Sequence, residues 1–157
     1  METIDYSAEG KLKLSNCIVP IVTVLLIVLW TYASLSKLLD YQNFRLQLGK
    51  SPLLTGFEGM VAAGVPLLEI CIAVLLAVKR TATLGLYASL ALLSLFTAYL
   101  VVILNYSYYI PCSCGGILQG LSWKSHIMFN GCFLALAAAA VIFSTSQGAK
   151  GGAFSKC

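Results

Sequence analysis

Charge is what this sequence lacks most. Its 157 residues include only ten Lys and Arg and six Asp and Glu, 10% of the chain, against 59% hydrophobic residues. Soluble domains carry about 25% charge. So few charges cannot cover a soluble globule, and so apolar a chain cannot stay disordered. The formal net charge of +4 is scattered over tails and loops. It forms no basic stripe, which argues against nucleic acid and suits an anionic membrane surface. The haem-attachment pattern C-x-x-C-H and the Gly-rich dinucleotide fingerprint are missing. Met1, Met60 and Met128 form no methionine-rich path for a soft metal, so no metal is expected. No repeat, low-complexity stretch or linker divides the chain, and its length allows one compact domain.

Long apolar runs, in contrast, are plentiful. Crossing about 30 Å of hydrocarbon at a rise of 1.5 Å per residue takes about 20 residues. Four segments qualify: Cys17 to Leu39, Phe57 to Val78, Ala82 to Leu104 and Trp123 to Phe143. All four are read as helices, because a lone strand in lipid leaves its backbone unpaired. The first follows an acidic lead of 16 residues and has no small-residue cleavage site, so it reads as a retained helix rather than a signal peptide. Only Lys79, Arg80 and Thr81 separate the second and third, which must be antiparallel neighbours. Ala62, Ala63 and Gly64 are candidates for close backbone approach. The expected fold is all-α, an integral membrane four-helix bundle over residues 17–143, with tails at 1–16 and 144–157 and a connection from Asp40 to Gly56.

Basic residues orient it. Lys11, Lys13, Lys79, Arg80, Lys150 and Lys156 lie on one side, and Lys37, Arg45, Lys50 and Lys124 on the other. The positive-inside bias places both tails in the cytoplasm and the 1–2 and 3–4 loops outside a bacterial inner membrane.

The 3–4 loop, NYSYYIPCSCGGILQGLSWKSH, carries the densest chemistry. Cys112 and Cys114, one residue apart, can close a small disulfide or jointly grip a soft metal. On the periplasmic side both dithiol and disulfide have meaning. Pro111 fixes the approach, and Gly115, Gly116 and Gly120 free the backbone to present the sulfurs. A thiol of pKa about 8.5 is only roughly 3% ionised at pH 7. The N-terminus of the fourth helix, Lys124 and His126 are candidates to raise that fraction. His126, with Asn130 one turn below, is either a proton shuttle for thiol–disulfide exchange or an interfacial hydrogen-bonded residue. Tyr106, Tyr108, Tyr109 and Trp123 read first as an interfacial aromatic belt and second as a wall for a quinone ring. Cys17, Cys71 and Cys132, on apolar helices, read as buried structural residues that behave as small hydrophobes.

Ionisable groups within hydrocarbon also stand out. Glu69 lies mid-span, three residues after Pro66, and Lys37 near the outer end of the first helix. They pair if the lysine stem reaches inward, although their depths differ by about two turns of 5.4 Å. In the other reading Glu69 is a neutral packing residue and Lys37 reaches to the headgroups.

YASLSKLLDYQNF after the first helix, VPLLE within the second, the KR hairpin and PCSCGG before the fourth together resemble the MauE proteins of methylamine utilisation, within the DoxX-like superfamily. The resemblance covers about residues 18–143. It implies a four-helix membrane protein linked to maturation of disulfide-rich exported proteins, and its DoxD relatives imply quinone reduction by sulfur compounds. Redox roles are implied for Cys112 and Cys114 alone.

The reading that unites these features is a membrane thiol–disulfide oxidoreductase. Cys112 and Cys114 would exchange electrons with a periplasmic thioredoxin-like or cysteine-containing exported protein, and a quinone would be the electron partner. Cys112, Cys114 and His126 are its expected catalytic residues, and Lys37, Glu69, Tyr109 and Trp123 the expected quinone contacts. The rival reading is a non-enzymatic membrane subunit or chaperone for a partner's maturation or export, with the C-x-C pair as a structural disulfide.

Overall fold

The computed structural model describes residues 6–50, 56–106 and 123–148, and the side chains of 18–50, 56–105 and 125–145. These residues form five α-helices: α1 (Tyr6–Leu39), α2 (Tyr41–Gly49), α3 (Glu58–Ala77), α4 (Ala82–Tyr106) and α5 (Trp123–Gly148). No strand occurs among them. Four contain stretches long and apolar enough to cross a membrane: Ile18–Leu39, Glu58–Ala77, Ala82–Asn105 and Ser125–Thr145. The expected all-α membrane bundle is therefore the observed one, with a fifth, shorter helix added.

Each spanning helix buries one stripe. On α1 it runs through Val19, Val22, Leu26, Trp30, Ser34 and Lys37, and on α3 through Ala62, Pro66, Glu69, Ala73 and Leu76. These spacings of three and four residues are the helical period. The stripes hold much of the bundle's small and polar complement, including Ser89 on α4 and Ala137 and Ala140 on α5. The opposite faces present Val28, Leu67, Val74, Leu84, Leu95 and Ile142 outward. This inversion suits lipid, where apolar side chains gain nothing by hiding from their surroundings and helices associate through packing and polar contacts.

The structure extends the sequence reading at three places. The helix containing the first span begins at Tyr6, ahead of the apolar run, and continues through Pro20. The stretch read as the Asp40–Gly56 connection contains α2. Asp40 interrupts the helical path at φ −118° and ψ 43°, and its carbonyl accepts the Phe44 N–H at 3.0 Å to start the new helix. Asn43 Nδ2 donates to Asp40 Oδ1 at 2.8 Å. Phe44 and Leu48, four residues apart, then pack with Ala62 of α3. The chain reaches α3 through Gly56, whose φ of +92° favours glycine, and whose N–H donates to Glu58 Oε2 at 2.8 Å.

The third difference concerns close packing. Ala62 is buried, but Ala63 is exposed and a Cβ on Gly64 would meet nothing within 4 Å. The close approach lies instead at Gly85 on α4, where a Cβ would stand 2.9 Å from the backbone nitrogen of Leu76. Thr81 secures this α3–α4 turn, its hydroxyl donating to the Leu75 carbonyl at 2.9 Å and its own carbonyl accepting the Gly85 N–H at 2.9 Å. The expected tight hairpin between the second and third spans is thus present. At the same end Thr83 Oγ1 and Ser144 Oγ lie 3.4 Å apart, joining α4 to α5.

Cys71 and Cys132 are exposed free thiols, so their sulfurs add nothing to the packed interior. The reading of both as buried hydrophobes is corrected: they sit off the buried stripes, on outward faces, and the side chain of Cys17, read the same way, lies outside the described residues. Substituting Gly85 by Leu should lower stability by about 1–3 kcal/mol through overpacking, read as a fall in thermal midpoint in detergent. Gly64→Ala, with open space around it, should leave the midpoint nearly unchanged.

Candidate functional site

Topology brings one end of the bundle together. The C-terminus of α1, the N-terminus of α3, the C-terminus of α4 and the N-terminus of α5 all lie opposite the α3–α4 hairpin. Lys37 is in the last turn of α1, and His126 in the first turn of α5. Glu69 is in the interior of α3.

Lys37 Nζ donates to Glu69 Oε1 at 2.7 Å and to the Ala33 carbonyl at 3.3 Å. Glu69 is completely buried, at 0% exposure, and Lys37 and His126 are buried at 8% and 5%. The lysine ammonium lies 6.0 Å from the Phe44 ring centroid and 5.9 Å from that of Phe96, at the range of cation–π attraction. Its charge also acts on the His126 imidazole. The pair thus joins α1 to α3, and three further helices face it: α2 through Phe44, α4 through Phe96 and α5 through His126.

The apparent two-turn mismatch in depth disappears because α1 stops short of the α3 N-terminus. The remaining upper part of α3, around Ala62, is covered by Phe44 and Leu48 of α2. Ala62 lies seven residues before Glu69, about 10 Å along the helix axis. Lys37 therefore sits deeper than a chain leaving the membrane at Leu39 would place it. Of the two sequence readings, the structure has the ion pair.

A second set of contacts holds the lysine's surroundings. Trp30 Nε1 donates to Ser89 Oγ at 3.0 Å, fixing α1 against α4. The Trp30 ring packs against Phe96 with centroids 6.2 Å apart and planes inclined at 58°. Phe96 in turn flanks Lys37. Phe44, Phe96 and the Trp30–Ser89 bond are the elements that sequence reasoning missed. Aromatics in an apolar chain carry no signal of their own, although Trp30 lies seven residues before Lys37 on the same helical stripe.

One acceptor in the site is unfilled. Among the described residues Glu69 Oε2 is buried without a hydrogen-bond partner, as is Gln47 Oε1 on α2. A buried carboxylate oxygen without a donor is costly, so the site is chemically suited to a group that brings an O–H or N–H to Oε2. Among the described residues no three His, Cys, Asp or Glu side chains group as a metal site.

The expected site residues divide accordingly. Lys37 and Glu69 are paired, and His126 is turned inward beside them. Cys112, Cys114 and Tyr109 lie outside the described residues, in the stretch that joins α4 to α5 at this same end. Trp123 opens α5, and its side chain too is outside the described set.

The fold and site define a multi-pass helical membrane protein with a charged pair enclosed at one end of the bundle. The chain belongs to the family described as methylamine utilisation protein MauE, which it matches over residues 15–143. No curated protein and no solved structure matches it.

Removing one member of the pair should strand the other in a dry interior. Lys37→Met or Glu69→Leu should each cost about 3–5 kcal/mol, and the double variant less than the sum of the two. Unfolding of the four proteins in one detergent gives the coupling; simple additivity would show that the pair contributes no mutual stabilisation.

Proposed function

We propose that this protein is a quinone-linked thiol–disulfide oxidoreductase of the bacterial inner membrane. Both termini are cytoplasmic in this reading, and the C-x-C pair faces the periplasm. The observation that carries it is the enclosed Lys37–Glu69 pair, with His126 beside it and an unfilled carboxylate oxygen. It lies at the end of the bundle where the chain bearing Cys112 and Cys114 is attached. Membership of a family named for methylamine utilisation supports a membrane protein that serves methylamine utilisation, and the exported partner is part of this proposal.

In this mechanism a partner thiolate attacks one sulfur of the Cys112–Cys114 disulfide. The mixed disulfide is then resolved by the partner's second thiol, leaving the partner oxidised and this pair as two thiols. Reoxidation removes two electrons and two protons from the pair. Those two electrons and two protons would pass to a bound quinone, which leaves as quinol, so the exchange balances without another oxidant. Lys37 and Glu69, together with Tyr109 and Trp123, would hold and orient the quinone, and His126 would carry protons between the sulfurs and the buried end. The hydrocarbon surroundings exclude water from the site, which strengthens each polar contact made there.

The deciding experiment is a redox titration of the cysteine pair in native membranes, read by alkylation mass shift across a range of quinone-to-quinol ratios. The thiol fraction should follow the ratio, and Cys112→Ser or Cys114→Ser should abolish the response. If the pair remains oxidised at every ratio and is reduced only on unfolding, it is a structural staple. The protein is then a docking subunit for its exported partner.

A further inference from the structure

Glu69 Oε2 is the one buried carboxylate oxygen without a donor among the described residues. We infer that the buried site is selective for the reduced form, the quinol, through a hydrogen bond from a quinol hydroxyl to Glu69 Oε2. This rests on the quinone-linked reading above and deepens it.

The argument is one of donors and acceptors. Glu69 Oε1 is occupied by Lys37 Nζ at 2.7 Å, while Oε2 is buried without a partner among the described residues. A carboxylate paired with an ammonium offers acceptors only. A quinone carbonyl is also only an acceptor, so placed at Oε2 it leaves both oxygens unsatisfied and sets like partial charges against each other. A quinol hydroxyl supplies the missing donor. The flanking Phe44 and Phe96 rings, at about 6 Å from the lysine nitrogen, give the polar pair apolar walls of the kind a substituted aromatic ring can pack against. A hydrogen bond to a buried charged group is strong enough for at least a tenfold preference. A tenfold preference for the reduced form raises the potential of the bound two-electron couple by about 30 mV. The protein would therefore strengthen the acceptor that withdraws electrons from its own dithiol.

The test measures binding alone. Full-length protein carrying Cys112→Ser and Cys114→Ser, in lipid nanodiscs, is titrated calorimetrically with three short-chain ligands: a benzoquinone, its quinol, and the quinol's dimethyl ether, which has the same ring and no O–H. The quinol should bind at least tenfold more tightly than the quinone or the ether. Glu69→Gln, whose amide can turn a donor outward, should reduce the quinol-to-quinone ratio toward one. Equal binding of quinol and ether overturns the inference, as does a preference that survives Glu69→Gln. The ligand comparison on protein with Glu69 intact decides the matter even if the Gln variant fails to fold. The redox titration of the cysteine pair remains a separate readout. If the pair follows the quinone ratio while quinol and ether bind alike, the oxidoreductase reading stands and the selectivity is wrong. If no ligand binds and the pair ignores the ratio, both fall.

Discussion

A charge in hydrocarbon must be answered by another charge at contact distance, and most of this architecture follows from satisfying that demand once. The Lys37–Glu69 contact requires α1 and α3 to be neighbours, with their buried stripes facing one another at matched depth. Matched depth requires α1 to end early, so a further element must cover the exposed upper part of α3, and α2 does so with Phe44 and Leu48. The aromatic flanks from α2 and α4 complete the enclosure, and the Trp30–Ser89 hydrogen bond fixes the helix that carries the lysine. Losing the pair would remove the reason for each of these placements.

The two ends of the bundle are built on different principles. At the hairpin end the backbones of α3 and α4 approach so closely at Gly85 that no side chain fits, and Thr81 ties the turn with short hydrogen bonds. At the other end, long side chains from five helices meet across a polar centre. Close backbone packing joins the first end, and contacts between polar and aromatic side chains join the second.

The four spans and their order were legible because an uninterrupted apolar run of spanning length has few other interpretations. The charged pair was half legible. Lys37 and Glu69 fall on the period of their helices' buried stripes, but their depths seemed mismatched because α2 was hidden within what read as a loop. A nine-residue helix with two inward apolar side chains is too short to impose a readable period. Phe96 and Trp30 were invisible for the opposite reason: an apolar chain is full of residues like them, and only the fold singles them out. Cys71 and Cys132 illustrate a related difficulty. In a membrane protein an apolar position is as suited to facing lipid as to facing the core, so hydrophobicity alone cannot assign the side.

The separation of Lys37 and Glu69 along the chain, 32 residues, also has a meaning in time. At a synthesis rate of about 5–20 residues per second, the glutamate leaves the ribosome roughly two to six seconds after the lysine. During that interval α1 carries an unanswered cation. Its place in the helix's last turn lets the flexible stem hold the ammonium near the headgroups until α3 arrives. A lysine at mid-span would have no such refuge. The late-arriving partner is the carboxylate, which can cross hydrocarbon as a neutral acid and ionise beside the waiting lysine. The order of the two charges in the sequence is thus the order in which a nascent membrane protein can best tolerate them.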